Sequence, residues 1–170
     1  MEEVTISILS QNGINKNTSN HIEEIISKEP DIYIEFTQED NRSDPDNTIL
    51  DNNFIENYKL LNMKQSSRTL TITGGYNIVS KIFKKKHSNI TIGDNIENTI
   101  IYISTDGSIV GHTPFVSTKA AVCTKLLINN QPMLFVNLHL PMLKGKPDLG
   151  LAERTRALKG VISKLITNLH

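Results

Sequence analysis

The chain has 170 residues, a formal net charge of zero and 38% hydrophobic residues, which suits one globular domain with a real core. Neutrality argues against a protein that grips nucleic acid by bulk charge, although a local basic patch is compatible with it. The one cysteine, Cys123, cannot form an internal disulfide and reads as a small core residue, no apolar run approaches the ~20 residues that span a bilayer, and Met1-Glu-Glu-Val4 is unlike a signal peptide. The expectation is a single domain over residues 1–170, without a transmembrane segment, in an intracellular, cytoplasmic setting. There the sequons at Asn17, Asn41 and Asn89 would be accidents of an asparagine-rich chain.

In chain order, Val4, Ile6 and Ile8 alternate with Thr5 and Ser7 as in a strand, which ends in the polar turn Ser10-Gln-Asn-Gly13. A helix is predicted from Asn20, with Glu23 in the capping-box position, until Glu29-Pro30 stops it. Residues 31–36 read as a second strand, followed by Thr37-Gln-Glu-Asp40. Strand, helix, strand makes a βαβ unit with parallel strands, so Asn12 and Glu39 both fall just past carboxyl ends, where open sheets collect ligands. An amide oxygen and a carboxylate there could coordinate Mg²⁺. A turn at Asn12 and a solvated loop at Glu39 would account for the same residues.

Residues 40–53 are acidic, asparagine-rich and broken by Pro45, which predicts a loop, and Phe54, Tyr58 and Leu61 then have helical spacing. Residues 68–73 and 77–83 look like strands around Gly74-Gly75. Lys84-Lys-Lys-His87 is a basic cluster, first of all a solvated loop and only secondarily a phosphate or membrane contact. Residues 99–104 are a further strand, turned by Asp106-Gly107, so a meander of antiparallel strands is expected after the βαβ unit.

Next comes Ala120-Ala-Val-Cys-Thr-Lys-Leu-Leu-Ile128, then Asn129-Asn130-Gln131, then Met133-Leu-Phe-Val-Asn-Leu-His-Leu-Pro141. Asparagine tolerates the left-handed turn conformation, so this is a hairpin of two strands. Alternation sends Met133, Phe135, Asn137 and His139 to one face and Leu134, Val136, Leu138 and Leu140 to the other. Folding about the turn brings Lys119 near His139, and a cation beside an imidazole suits an anionic ligand such as a phosphate. A histidine bonded to backbone beside a solvated lysine would fit the same pattern. Residues 149–170 form the clearest helix, with Leu151, Leu158, Val161, Leu165 and Leu169 on one face. Arg154 falls on that face and must snorkel or meet an anion, unlike Arg156, which points the other way; a structural ion pair would account for Arg154 as well as a functional role.

The ordered set Ile6-Ser-Ile-Leu-Ser-Gln-Asn12, Pro30-Asp-Ile-Tyr-Ile-Glu-Phe-Thr-Gln-Glu39, Thr118-Lys-Ala-Ala-Val122, Phe135-Val-Asn-Leu-His-Leu140 and Glu153-Arg154 resembles the endonuclease/exonuclease/phosphatase superfamily. Within it the set is closest to the inositol polyphosphate 5-phosphatases. The resemblance implies an α/β fold, a partial four-layer, DNase I-like α/β sandwich of mixed sheet with flanking helices that lacks the carboxyl-terminal half. It also implies Mg²⁺-dependent hydrolysis of a phosphate ester, with Asn12 and Glu39 at the metal, Lys119 and Arg154 at substrate phosphate, and His139 as the catalytic residue supporting the reacting phosphoryl group. All but Arg154 should converge at one edge of one sheet.

Gln11 stands where the family has a Trp, and the lysine motif lacks the glycine that follows lysine. The family's later Gly-Asp-x-Asn and Ser-Asp-His motifs do not occur in these 170 residues. A water nucleophile needs a positioned base, so the chain alone is expected to bind Mg²⁺ weakly and catalyse poorly. Three readings follow. The first is a 5-phosphatase-like enzyme acting on phosphorylated inositol or phosphoinositide, completed by further sequence or by a complementing carboxyl-terminal chain. The second is an inactive remnant or module that binds phosphoinositide or a protein. The third is an endonuclease or sphingomyelinase relative, although neutral charge argues against a DNA partner.

Overall fold

The computed structural model describes residues 3–12, 24, 27–40, 52–66, 77–111, 119–141 and 147–167. Two four-stranded sheets pack face to face. The first, in the order β1 (Ile6–Asn12), β2 (Ile32–Asp40), β4 (Asn77–Lys85), β3 (Tyr58–Gln65), is mixed: β1 and β2 run parallel and β4 is antiparallel to both its neighbours. In the second, β6 (Ile109–Val110), β5 (Glu97–Ile103), β7 (Lys119–Ile128) and β8 (Gln131–His139) are antiparallel in that order. The expected meander is thus corrected to two separate ladders. β3 and β4 return to the parallel pair, where Ile82 lies beside its cross-strand partner Ile34 and both meet Leu126 and Phe135 of the facing sheet in one core.

Each central strand is buried on both sides. From β2, Ile32, Ile34 and Phe36 enter the core between the sheets, while Tyr33 enters an aromatic cluster on the outer face with Phe54, Tyr58 and Phe83. From β7, Leu126 and Ile128 face inward, and Ala121 and Cys123 pack outward beneath α2 (Pro147–Thr167), against Ala157 and Val161. Burial pushes the Cys123 thiol up to about 11, so it remains an unreactive core group. The layers are therefore helix, sheet, sheet, helix, with α1 (Asn52–Asn57) supplying Phe54 to the outer face of the first sheet. Among the described residues no helix is long and apolar enough to cross a membrane.

Several local expectations change. The helical spacing of Phe54, Tyr58 and Leu61 does not make one helix: α1 stops at Asn57 and Tyr58 opens β3. Ladder pairing with β4 outweighs local spacing, and Tyr58 keeps its place by stacking on Phe54 (centroids 4.6 Å apart) and donating a hydrogen bond to the Pro30 carbonyl at 2.9 Å. Asp40 belongs to β2 and Asn52 to α1, which shortens the expected loop at both ends. The helix from Asn20 lies outside the described residues except at Glu24, Ser27 and Lys28, where Ser27 Oγ donates to the Glu24 carbonyl and Lys28 pairs with Glu24. The strand at 68–73 and the Gly74-Gly75 turn also lie outside them. On α2 the buried line is Gly150, Ala157 and Val161, with Leu165 packed beside it; of the apolar face read from the sequence Val161 and Leu165 thus meet the core, Leu151 and Leu158 are 61% and 43% exposed, and Leu169 lies outside the described residues.

Two turns and one tie hold the frame. Asn129 and Asn130 have φ of 48° and 63°, the pair of left-handed residues a two-residue hairpin requires. Gly107, at φ 83°, lies against α2 so closely that a Cβ there would sit 2.2 Å from the Glu153 carbonyl oxygen. Gly107→Ala is expected to cost about 2–3 kcal/mol, read as a lower urea midpoint, because it adds left-handed strain to a backbone clash. At the start of β2, burial would raise the Asp31 carboxyl, but hydrogen bonds from Ser88 Oγ, the Thr5 amide and Thr5 Oγ1 outweigh it and hold the pKa below the usual value. A depressed carboxyl stabilises above its unfolded pKa, about 4, and the contribution fades as pH falls through the lower folded value. Asp31→Asn should therefore lower stability by about 1 kcal/mol at neutral pH, with the deficit shrinking in urea titrations as the pH falls below the ordinary carboxylate value of about 4.

Candidate functional site

The ladder between β2 and β4 slips near its end. Thr37 partners Val79 and Asp40 partners Asn77, so Gln38 and Glu39 together face Ile78. Two residues against one make a β-bulge, which frees backbone groups and redirects the strand. An asparagine from the other sheet satisfies the freed groups. Asn137 of β8, fully buried, donates from Nδ2 to the Thr37 carbonyl at 3.2 Å and to the Val79 carbonyl at 2.8 Å, and its Oδ1 accepts from Gln38 Nε2 at 2.6 Å. Gln38 Nε2 lies 3.4 Å from Ser10 Oγ, on the neighbouring β1.

His139 ends β8 two residues beyond Asn137, and alternation puts it on the same inward face. Its Cα partner is Ala120, and Lys119 Nζ lies 2.7 Å from His139 Nε2. An ammonium has no lone pair, so with Lys119 charged the ring nitrogen accepts and the imidazole proton sits on Nδ1. His139 is buried and Lys119 half-buried. Both make further interactions. The result is a half-buried lysine held against a buried imidazole at the rim of the sandwich, an arrangement suited to an oxyanion.

Asn12 is the exposed last residue of β1, with Gln38 as its Cα partner, and Glu39 follows Gln38 in the bulge. Asn12 and Glu39 therefore belong to one sheet, Lys119 and His139 to the other. The expectation that all four share one edge of a single sheet is corrected: the strand ends meet at one end of the sandwich, joined across the layers by the Asn137–Gln38 bond. Arg154 is half-buried on α2, which covers the outer face of the second sheet. Its neighbour Glu153 abuts the turn after β5, whose last residue, Ile103, partners Lys119. Arg154 thus stands at the same end, on the side of the sheet away from His139. Arg156 is exposed, and its Nη1 donates to the Asp106 carbonyl at 3.0 Å.

Among the described residues no three His, Cys, Asp or Glu side chains gather as a metal cluster. The Asn12 carboxamide oxygen at a strand end is the kind of donor Mg²⁺ takes, and so is a carboxylate at Glu39; with one carboxylate, further ligands must come from water and a substrate phosphate. A groove of about 450 Å³ opens at the opposite end, beside Val4, Ile6, Ile128 and Met133, and among the described residues no titratable side chain lines it. Sequence reading passed over Gln38 and Asn137, although an asparagine inside the apolar run Leu134-Phe-Val-Asn-Leu138 is itself a signal, since a buried amide requires partners.

No protein-family model and no curated protein sequence matches the chain. The architecture is nonetheless that of the DNase I-like, endonuclease/exonuclease/phosphatase-type fold. It is similar to the human Nocturnin catalytic domain, solved with a bound sulfate anion, with a TM-score of 0.51 and 14% identity over 86% of this chain. The likeness covers 50% of the Nocturnin chain, so the present chain spans about half the length of that domain. At this identity the comparison establishes the fold.

Proposed function

We propose that the chain supplies the amino-terminal portion of a phosphoester-hydrolase site of the endonuclease/exonuclease/phosphatase type, with phosphorylated inositol or a phosphoinositide headgroup as ligand. The observation that carries the reading is the Lys119–His139 pair, 2.7 Å apart and recessed at the end of the sandwich where β1 and β2 also finish. In this reading Lys119 binds substrate phosphate, His139 hydrogen-bonds the reacting phosphoryl oxygen, and Arg154 adds positive charge at the same end from the far side of the second sheet. Asn12 and Glu39 would hold Mg²⁺, which when bound supplies charge neutralisation at the phosphate. The sulfate in the Nocturnin domain is a tetrahedral oxyanion of the same shape as phosphate and supports an oxyanion ligand here. The same fold favours a second reading, a phosphodiesterase of the endonuclease or sphingomyelinase kind; zero net charge argues for the small phosphate over a polyanionic strand.

Calorimetry with an inositol polyphosphate and Mg²⁺ tests the proposal, with a short oligonucleotide and sphingomyelin vesicles as competitors. Binding to the inositol polyphosphate should weaken about tenfold or more in Lys119→Met, the loss of one charge-assisted hydrogen bond. Mg²⁺ alone should bind weakly, and more weakly still after Glu39→Gln. Preference for the oligonucleotide would favour the second reading, and affinity unchanged in Lys119→Met would contradict both.

A further inference from the structure

We propose that Asn137 and Gln38 are positioning residues of this site: their carboxamides, seated in the β2 bulge, lock the strand carrying Glu39 in register with the strand carrying His139. The inference rests on the functional reading above and adds a device to it. A face-to-face sandwich is held by apolar side chains, which fill volume but leave the sheets able to slide at small cost. Directional bonds remove that freedom. Here they run from one side chain of the second sheet to two backbone carbonyls and one side chain of the first, at 2.8, 3.2 and 2.6 Å.

The placement of these bonds points to the site. Asn137 is two residues before His139, and Gln38 is the residue before Glu39. The accepting carbonyls belong to Thr37 and Val79, the last matched pair before the ladder slips. A bulge without its plug would lose two hydrogen bonds to its backbone carbonyls and could relax by shifting one residue, which would move Glu39 by one register position. The β7–β8 hairpin already fixes His139 to Lys119. The carboxamide pair is what refers that unit to β2.

Asn137→Leu keeps the branched shape and removes every bond, and Phe135→Leu, two positions before it in the same inter-sheet core, serves as a control that loosens packing without removing a bond to the bulge. Both are compared at a temperature where each remains folded. Two signals are read: the ring ¹⁵N shifts of His139, and the Mg²⁺-dependent affinity for inorganic phosphate. In Asn137→Leu the ring shifts should move and phosphate affinity should fall about tenfold, with Gln38→Ala giving a similar loss and the double variant little more. Phe135→Leu should leave both signals in place. Ring shifts that stay unchanged in Asn137→Leu, or move as much in Phe135→Leu, overturn the proposal. If the unaltered chain binds no phosphate, the functional reading fails, and the ring shifts alone decide whether the register lock exists.

Discussion

Phe54→Ala is expected to destabilise the protein by about 3–5 kcal/mol, the largest effect of any single truncation outside the inter-sheet core. Phe54 is 1% exposed and touches three rings: it stacks on Tyr58 at 4.6 Å and meets Tyr33 and Phe83 edge-on at 5.4 and 5.1 Å. Removing the ring opens a cavity in a cluster that also anchors β3, because Tyr58 makes the change from helix to strand. Aromatic pairs add about 0.5–1.5 kcal/mol each beyond the area they bury, so neighbours cannot collapse into the space without losing those geometries. Urea unfolding of Phe54→Ala and Phe54→Leu reads the effect, and leucine should recover a large part of it. A loss below about 1 kcal/mol for alanine would show that the cluster is loosely packed.

The second large effect concerns turnover. The 170-residue chain should release negligible phosphate from inositol polyphosphates, even with Lys119 and His139 in contact. Recognition needs only charge-assisted hydrogen bonds, whereas hydrolysis needs a positioned base, and absence of that group typically removes about 10²- to 10⁴-fold in rate. Lost stabilisation of developing charge compounds the deficit. Neither Gly-Asp-x-Asn nor Ser-Asp-His occurs in these residues. Phosphate release should appear when the chain is joined to or mixed with a segment carrying both motifs, and should disappear again in His139→Ala. Robust Mg²⁺-dependent turnover by the chain alone, abolished by His139→Ala, would mean that the site is complete without them.

Much of this geometry was legible in the residues, for identifiable reasons. The β7–β8 hairpin follows from two adjacent asparagines between apolar runs, and its register puts Lys119 beside His139 with no knowledge of anything else. The parallel β1–β2 pair likewise follows from strand, helix and strand in close succession. What could not be read depends on distant partners. Tyr58 has helical spacing from Phe54, yet pairing with β4 claims it for a strand. The buried line of α2 is set by Ile101, Ile103 and Cys123 beneath it, which accept Ala157 and Val161 and leave Leu151 and Leu158 exposed. The bulge at Gln38 and Glu39 has no local marker such as glycine. It becomes intelligible once Asn137, 99 positions from Gln38, is seen to fill it.

The central claim is that the end of the sandwich carrying Lys119 and His139 is where a phosphate binds. Chemical-shift mapping of the labelled chain against inorganic phosphate, with and without Mg²⁺, tests it most directly, since weak binding suffices and each residue reports its own position. The account predicts that the moving signals cluster at Asn12, Gln38, Lys119, Asn137 and His139, while those of Val4, Asn89 and Asn129, around the groove at the other end, stay fixed. Shifts confined to the groove, or to the basic run at Lys84, Lys85 and Lys86, would contradict it.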